Sequence, residues 1–144
     1  MLWRLRYRSE HLREALAARP AEEPPLLALR NALQAVHESM SQQRDNSRAY
    51  LRFLLETPSL RAHFLDILEE WQVDIQPELA RRLSPRADRE AMARLAASVA
   101  VATQDVALRR WVADGSRELK EYVDEAFAAL GELVGALSST PRSS

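Results

Sequence analysis

At 144 residues the chain fits one domain, and a domain of this size buries roughly 70% of the surface that its unfolded chain exposes. The absence of cysteine excludes disulfides, thiolate zinc sites and cysteine nucleophiles, and 20 basic against 21 acidic residues leave a net charge of -1, which offers no field for a polyanion such as DNA. No apolar run approaches the ~20 residues needed to cross a bilayer and residues 1–8 lack the apolar stretch of a signal peptide, so a soluble, unprocessed, cytoplasmic protein with no membrane partner is expected.

Only three glycines occur, all after position 114, and the strand-like alternation of Val, Ile, Thr and aromatic residues is missing. Ala, Leu, Arg and Glu dominate, the residues that lose least on entering a helix, so the class is all-α, a six-helix bundle. The first helix runs from about Leu2 to Ala18 and stops before Pro20, with a Pro- and Glu-rich linker from Arg19 to Pro24. Pro25 suits the first turn of a second helix, in which Leu26, Leu29, Leu33, Val36 and Met40 recur three and four apart on one stripe until polar Ser41 to Asn46 end it. A third helix, about Ser47 to Glu56, carries Tyr50, Leu51, Phe53, Leu54 and Leu55; it reads as apolar nearly all round and is expected at the buried centre.

Thr57 and Pro58 then open a fourth helix with Leu60, Phe64, Ile67, Leu68, Trp71 and Ile75 inward. Pro77 inside this pattern predicts a kink or break, after which Leu79 and Leu83 resume the stripe. Beyond a polar turn from Ser84 to Asp88, a fifth helix is marked by Met92, Leu95, Val99, Ala102 and Val106, and ends near Asp114 and Gly115. Its second flank, Ala96, Ala100, Thr103 and Ala107, is small enough for another helix to come close. The sixth helix, from about Ser116, presents Leu119, Val123, Ala126, Phe127, Leu130, Leu133, Val134 and Leu137, a stripe wide enough to face more than its own core. Residues 1–137 are expected to form the domain and 138–144 a disordered tail.

Residues suited to catalysis are sparse. His11, His37 and His63 are the only histidines, and neither an H-E-x-x-H nor a Glu-x-x-His pair exists to build a metal site on a helix. His63 with Asp66 reads as a surface pair, no serine sits in a G-x-S-x-G elbow, and no Gly-rich phosphate loop is present. No metal, cofactor or enzymatic activity is expected. Arg4 and Arg8, one turn apart with Arg6 between them, form either a basic flank near DNA or a solvated face.

Three stretches together resemble the C-terminal half of TetR-type bacterial transcription regulators: Leu16 to Leu33 (LAARPAEEPPLLALRNAL), Leu54 to Arg61 (LLETPSLR) and Ala107 to Gly115 (ALRRWVADG). Their order and spacing agree with that family along the whole chain, and the subclass resembled binds acyl-CoA-like ligands. The resemblance implies a ligand pocket and a dimer interface, with DNA read by a three-helix helix-turn-helix head. On this resemblance the head is expected to be missing from the chain, whose first residues would correspond to the connection to it. On this footing the chain is expected to sense a small hydrophobic or acyl-type effector and to form a homodimer. The other reading is a headless module that pairs with related regulators.

A mainly apolar pocket enclosed by the second to fifth helices is expected to be touched by Val36, His37, Met40, Tyr50, Phe53, Leu54, Phe64, Leu68, Trp71, Met92, Val99 and Thr103. Thr103 and Gln104 are the residues to supply its polar groups, and His37 is either a ligand contact or a boundary histidine. The resemblance places the dimer interface on the fifth and sixth helices as a four-helix bundle, through Ala96, Ala100, Ala107, Trp111, Val123, Phe127, Leu130, Gly131 and Val134. Gly131 and Gly135 leave a shallow strip for a second backbone, and Arg109, Arg110 and Trp111 would form the rim.

Overall fold

The computed structural model describes the backbone of residues 3–41 and 44–138 and the side chains of residues 8–38 and 45–138. Within them the chain forms six α-helices and no strand: α1 (Trp3–Ala17), α2 (Pro25–Ser41), α3 (Arg44–Glu56), α4 (Pro58–Arg82), α5 (Arg89–Ala113) and α6 (Leu119–Ser138). The tail beyond Ser138 lies outside the described residues.

Helix ends follow local chemistry. Thr57 holds extended backbone at φ -101°, ψ 108° ahead of Pro58, yet its side chain makes no capping bond, so the preset φ of the proline starts α4. At the end of α5, Gly115 takes φ 62°, the left-handed turn that a residue without Cβ adopts freely. The last carbonyls of two helices are satisfied from a distance by arginines. Arg82, in the last turn of α4, donates to Leu16 O (2.7 Å), Arg19 O (3.0 Å) and Pro20 O (2.6 Å), closing the end of α1 and its linker. From α3, Arg48 donates to Trp111 O (3.1 Å) and Val112 O (2.9 Å), and Arg52 to Val112 O (2.8 Å), closing α5. Ser9 of α1 also donates to Asp74 of α4.

The core sits around α5, which packs chiefly on α4 and α6 and also touches α2 and α3; α1 lies across α2 and α4. Leu29, Leu33, Ile67, Trp71, Ile75, Leu79, Trp111, Tyr122 and Val123 fill it. By length and composition α5 is also apolar enough to cross a membrane, with a mean hydropathy of 1.2, a property missed by counting only uninterrupted apolar runs. Its apolar window is 44% buried on its neighbours, as befits a helix at the centre of a bundle.

Three expectations are corrected. First, α3 is not the central helix. Leu51 and Leu54 point inward, Tyr50 and Leu55 are half-buried, and Phe53 is 52% exposed, because Arg48 and Arg52 claim a face of this helix to reach the end of α5. Second, the faces of α5 are the reverse of the ones expected. The small residues Ala93, Ala97, Ala100 and Ala107 are buried, whereas Leu95 (63%) and Val106 (52%) are exposed. Third, Pro77 does not break α4, which runs unbroken through it with the proline ring on the exposed side. The sixth helix also begins three residues later than expected, at Leu119.

A methyl group added at Gly115 would run into the Arg48 guanidinium while holding a left-handed backbone. Gly115→Ala should therefore lower the unfolding free energy by about 2–3 kcal/mol, combining left-handed strain with a weakened clamp on α5. Urea unfolding at fixed protein concentration checks this; an unchanged midpoint would refute it.

Candidate functional site

Five helices converge on one enclosed cavity. Arg8 comes from α1, Val36 and His37 from α2, Leu51 from α3, Phe64, Ile67, Leu68 and Trp71 from α4, and Gln104 and Leu108 from α5. The three- and four-residue spacing of the α4 set aims all four side chains inward from one stripe. The free volume is about 10 Å³, room for about one water molecule. In this state the cavity is closed.

His37 and Gln104 are the polar residues at its centre, 2% and 3% exposed. The Gln104 amide nitrogen lies 3.2 Å from His37 Nε2, a hydrogen bond that a neutral imidazole with its proton on Nδ1 accepts. Burial, aided by the charge of Arg8, pushes the pKa of His37 down to about 3. Oε1 of Gln104 is buried with no hydrogen-bond partner among the described residues.

His37 also borders an outer cleft of about 290 Å³ between α2 and α6, lined by Gln34, Ala35, Glu38 and Lys120. There Gln34 donates to Asp124 Oδ1 at 2.8 Å. A larger and more open groove of about 390 Å³ lies between α5 and α6, with Val99, Ala102, Val106, Ala129, Leu130 and Leu133 along it. On the other side of α6 a groove of about 290 Å³ is bounded by Leu26, Leu27, Phe127, Leu130, Gly131 and Val134. The C-terminal half of α6 thus stands as a ridge with apolar surface on both flanks, and Leu133 is 70% exposed.

Of the residues expected around the pocket, Val36, His37, Phe64, Leu68 and Trp71 meet at the cavity. Leu54 is buried in the core, and Tyr50 and Met92 are half-buried away from the cavity lining. Val99 and Thr103 face the α5–α6 groove, where the Thr103 hydroxyl donates to Val99 O at 2.7 Å. Phe53 is at the surface, and the side chain of Met40 lies outside the described residues. Arg8, Leu51, Ile67 and Leu108 were not anticipated. Arg8 is half-buried and lines the cavity; the side chains of Arg4 and Arg6 lie outside the described residues. His11 and His63 are exposed.

Among the residues expected at a dimer interface, Ala100, Ala107, Trp111 and Val123 are core residues of the single chain and Ala96 packs half-buried against them. Phe127 is half-buried, while Leu130, Gly131 and Val134 border open grooves. An alanine methyl added at Gly131 or Gly135 would meet nothing within 4 Å. Among the described residues, no group of three or more His, Asp or Glu gathers at a possible metal site.

The bundle thus closes a polar pair inside an apolar cavity and leaves apolar residues of α5 and α6 exposed. The family described as the MftR C-terminal domain, one of the TetR C-terminal domains, matches residues 23–135, and the chain belongs to it. The acyl-CoA-like subclass is not part of that assignment. No curated protein and no solved structure matches the chain.

The buried, neutral His37 makes stability depend on pH. Its pKa in the fold lies below that of an unfolded histidine, so the unfolded chain binds the extra proton first. Stability on this account is complete above about pH 6.5 and falls as pH drops toward 3, by on the order of 5 kcal/mol in full. Unfolding free energies measured from pH 7 to 4 should decline less steeply in His37→Gln than in the parent; parallel curves would refute the assignment.

Proposed function

We propose that this chain is the effector-sensing and dimerising part of a TetR-type transcription regulator, taking a small hydrophobic or acyl-type molecule into the central cavity. Membership of the family supports the class, and the observation that carries the reading is the convergence of α1 to α5 on one cavity with a buried polar pair at its centre. With room for about one water molecule, the closed cavity corresponds to the empty state, and an effector binds by favouring an arrangement in which the helices stand further apart. In this reading DNA is contacted through a helix-turn-helix head joined ahead of α1, the protein works in the cytoplasm, and no catalysis is involved.

The homodimer is formed by α5 and α6 of each chain, as a four-helix bundle. The residues assigned to it are exposed Leu95, Ala102 and Val106 with half-buried Val99 on α5, and exposed Leu133, Val134 and Leu137 with half-buried Leu130 on α6. Large apolar side chains on two adjacent helices form a contiguous face of the kind that marks an interaction surface, and the open space beside Gly131 and Gly135 lets a second helix approach.

Two measurements test these halves separately. A straight-chain apolar compound at 100 times its Kd should raise the unfolding free energy by about 2.7 kcal/mol and change Trp71 fluorescence in a saturable way; a flat response across a series of six to twelve or so carbons would count against the cavity. For the dimer, which should bury on the order of 2,000 Å² in total, sedimentation at micromolar concentration should give twice the chain mass. Val106→Arg with Leu133→Arg should give a monomer of unchanged helicity, since neither side chain is part of the core. A monomeric parent chain would refute the interface.

A further inference from the structure

Apolar walls set the shape of what the central cavity takes, and its hydrogen-bonding groups set the chemistry. The amide of Gln104 is 3% exposed, and its nitrogen is committed to His37 Nε2 at 3.2 Å. That bond fixes which end of the amide faces the ring and leaves the other, Oε1, buried with no hydrogen-bond partner among the described residues. A carbonyl oxygen only accepts, so the group that completes it must donate. The guanidinium of Arg8, also in the lining, carries donors alone and does not compete for the same hydrogen. With free room for about one water molecule, the cavity suits the smallest of donors, a hydroxyl, whose hydrogen rotates to meet the acceptor. Phe64 and Trp71 stand two turns apart on one stripe of α4, about 10 Å along its axis, with Ile67 and Leu68 between them, so the rest of a ligand meets hydrocarbon.

We infer that the effector is an apolar alcohol, its hydroxyl donating to Oε1 of Gln104 and its hydrocarbon body lying against Phe64, Ile67, Leu68 and Trp71. This deepens the effector-site reading and rests on it. A ligand without a donor would shut solvent away from the amide oxygen and offer nothing in its place, which costs affinity even where the apolar fit is equal. Selection therefore falls on the donated hydrogen and not on the oxygen that carries it, and Gln104 is the residue that makes the selection.

Calorimetric titration of the 144-residue chain at pH 7 with 1-octanol and with its isomer heptyl methyl ether isolates the donor, since both have the same atoms and an oxygen toward one end but only the alcohol has an O–H. The alcohol should bind about three- to tenfold tighter, the effect of one neutral hydrogen bond. His37→Leu combined with Gln104→Leu removes both polar groups, so that the ring nitrogen cannot take over from the amide oxygen, and exchanging both partners for apolar ones spares the fold. In that variant, verified as folded by its melting curve, the two isomers should bind alike; should it not fold, the comparison on the parent chain decides alone. If the ether binds the parent as tightly as the alcohol, or the double variant keeps the preference for the alcohol, the ligand class is wrong while the cavity stands. If neither isomer binds the parent, the cavity reading itself fails, and with it this inference.

Discussion

Ala93, Ala97, Ala100 and Ala107 offer only methyl groups where the neighbours of α5 approach it, and the separation of packed helices is set by the side chains between them. The central helix can therefore lie close to α4 and α6 together, with Trp71, Trp111 and Tyr122 supplying the bulk that the alanines do not. On the opposite face of α5, Leu95, Ala102 and Val106 are exposed and Val99 is half-buried, while Val101, Leu108, Trp111 and Val112 pack inward with the alanines. Gln104, one turn past Ala100 on the buried side, is carried into the interior, where His37 meets it.

The class and number of helices were legible because helix-forming residues, prolines and the late glycines act locally. Pro25, Pro58 and Gly115 mark ends that depend on a few neighbouring atoms. The faces of α5 were not legible, because both are apolar. The rule that larger apolar residues point inward assumes a helix with one solvated face, and α5 has an uncovered apolar face instead. For α3 the misreading had another origin. Its aromatic and leucine residues suggested burial, but Arg48 and Arg52 find their acceptors 63 and 60 positions away, at Trp111 and Val112, and no local pattern encodes that distance.

The candidate site was half legible for the same reason. Val36, Phe64, Leu68 and Trp71 follow from stripes that are one-sided, and His37 from its place beside Val36. Arg8 did not, since in sequence it belongs to a run of arginines that resembles any solvated helix face; only the crossing of α1 over α2 and α4 turns it inward. Thr103 and Gln104 are adjacent, and a rotation of one residue decides which enters the cavity. Thr103 satisfies itself on the carbonyl four residues back, as hydroxyls in helices commonly do, and Gln104 reaches across.

The joints made by Arg82, Arg48 and Arg52 all end on backbone carbonyls. Surface pairs elsewhere end on carboxylates, such as Glu23 beside Arg19 and Glu125 beside Arg117, both held below the usual carboxylate range by those arginines. Acid dissolves the second kind by protonating the acceptor and leaves the first intact, because a peptide oxygen does not titrate under the same conditions. An acidified molecule would then lose its ionic trim and its neutral histidine while α1 stays latched to α4 and α3 to α5. Such a chain would unlock from within, at the cavity, before it comes apart at its helix ends.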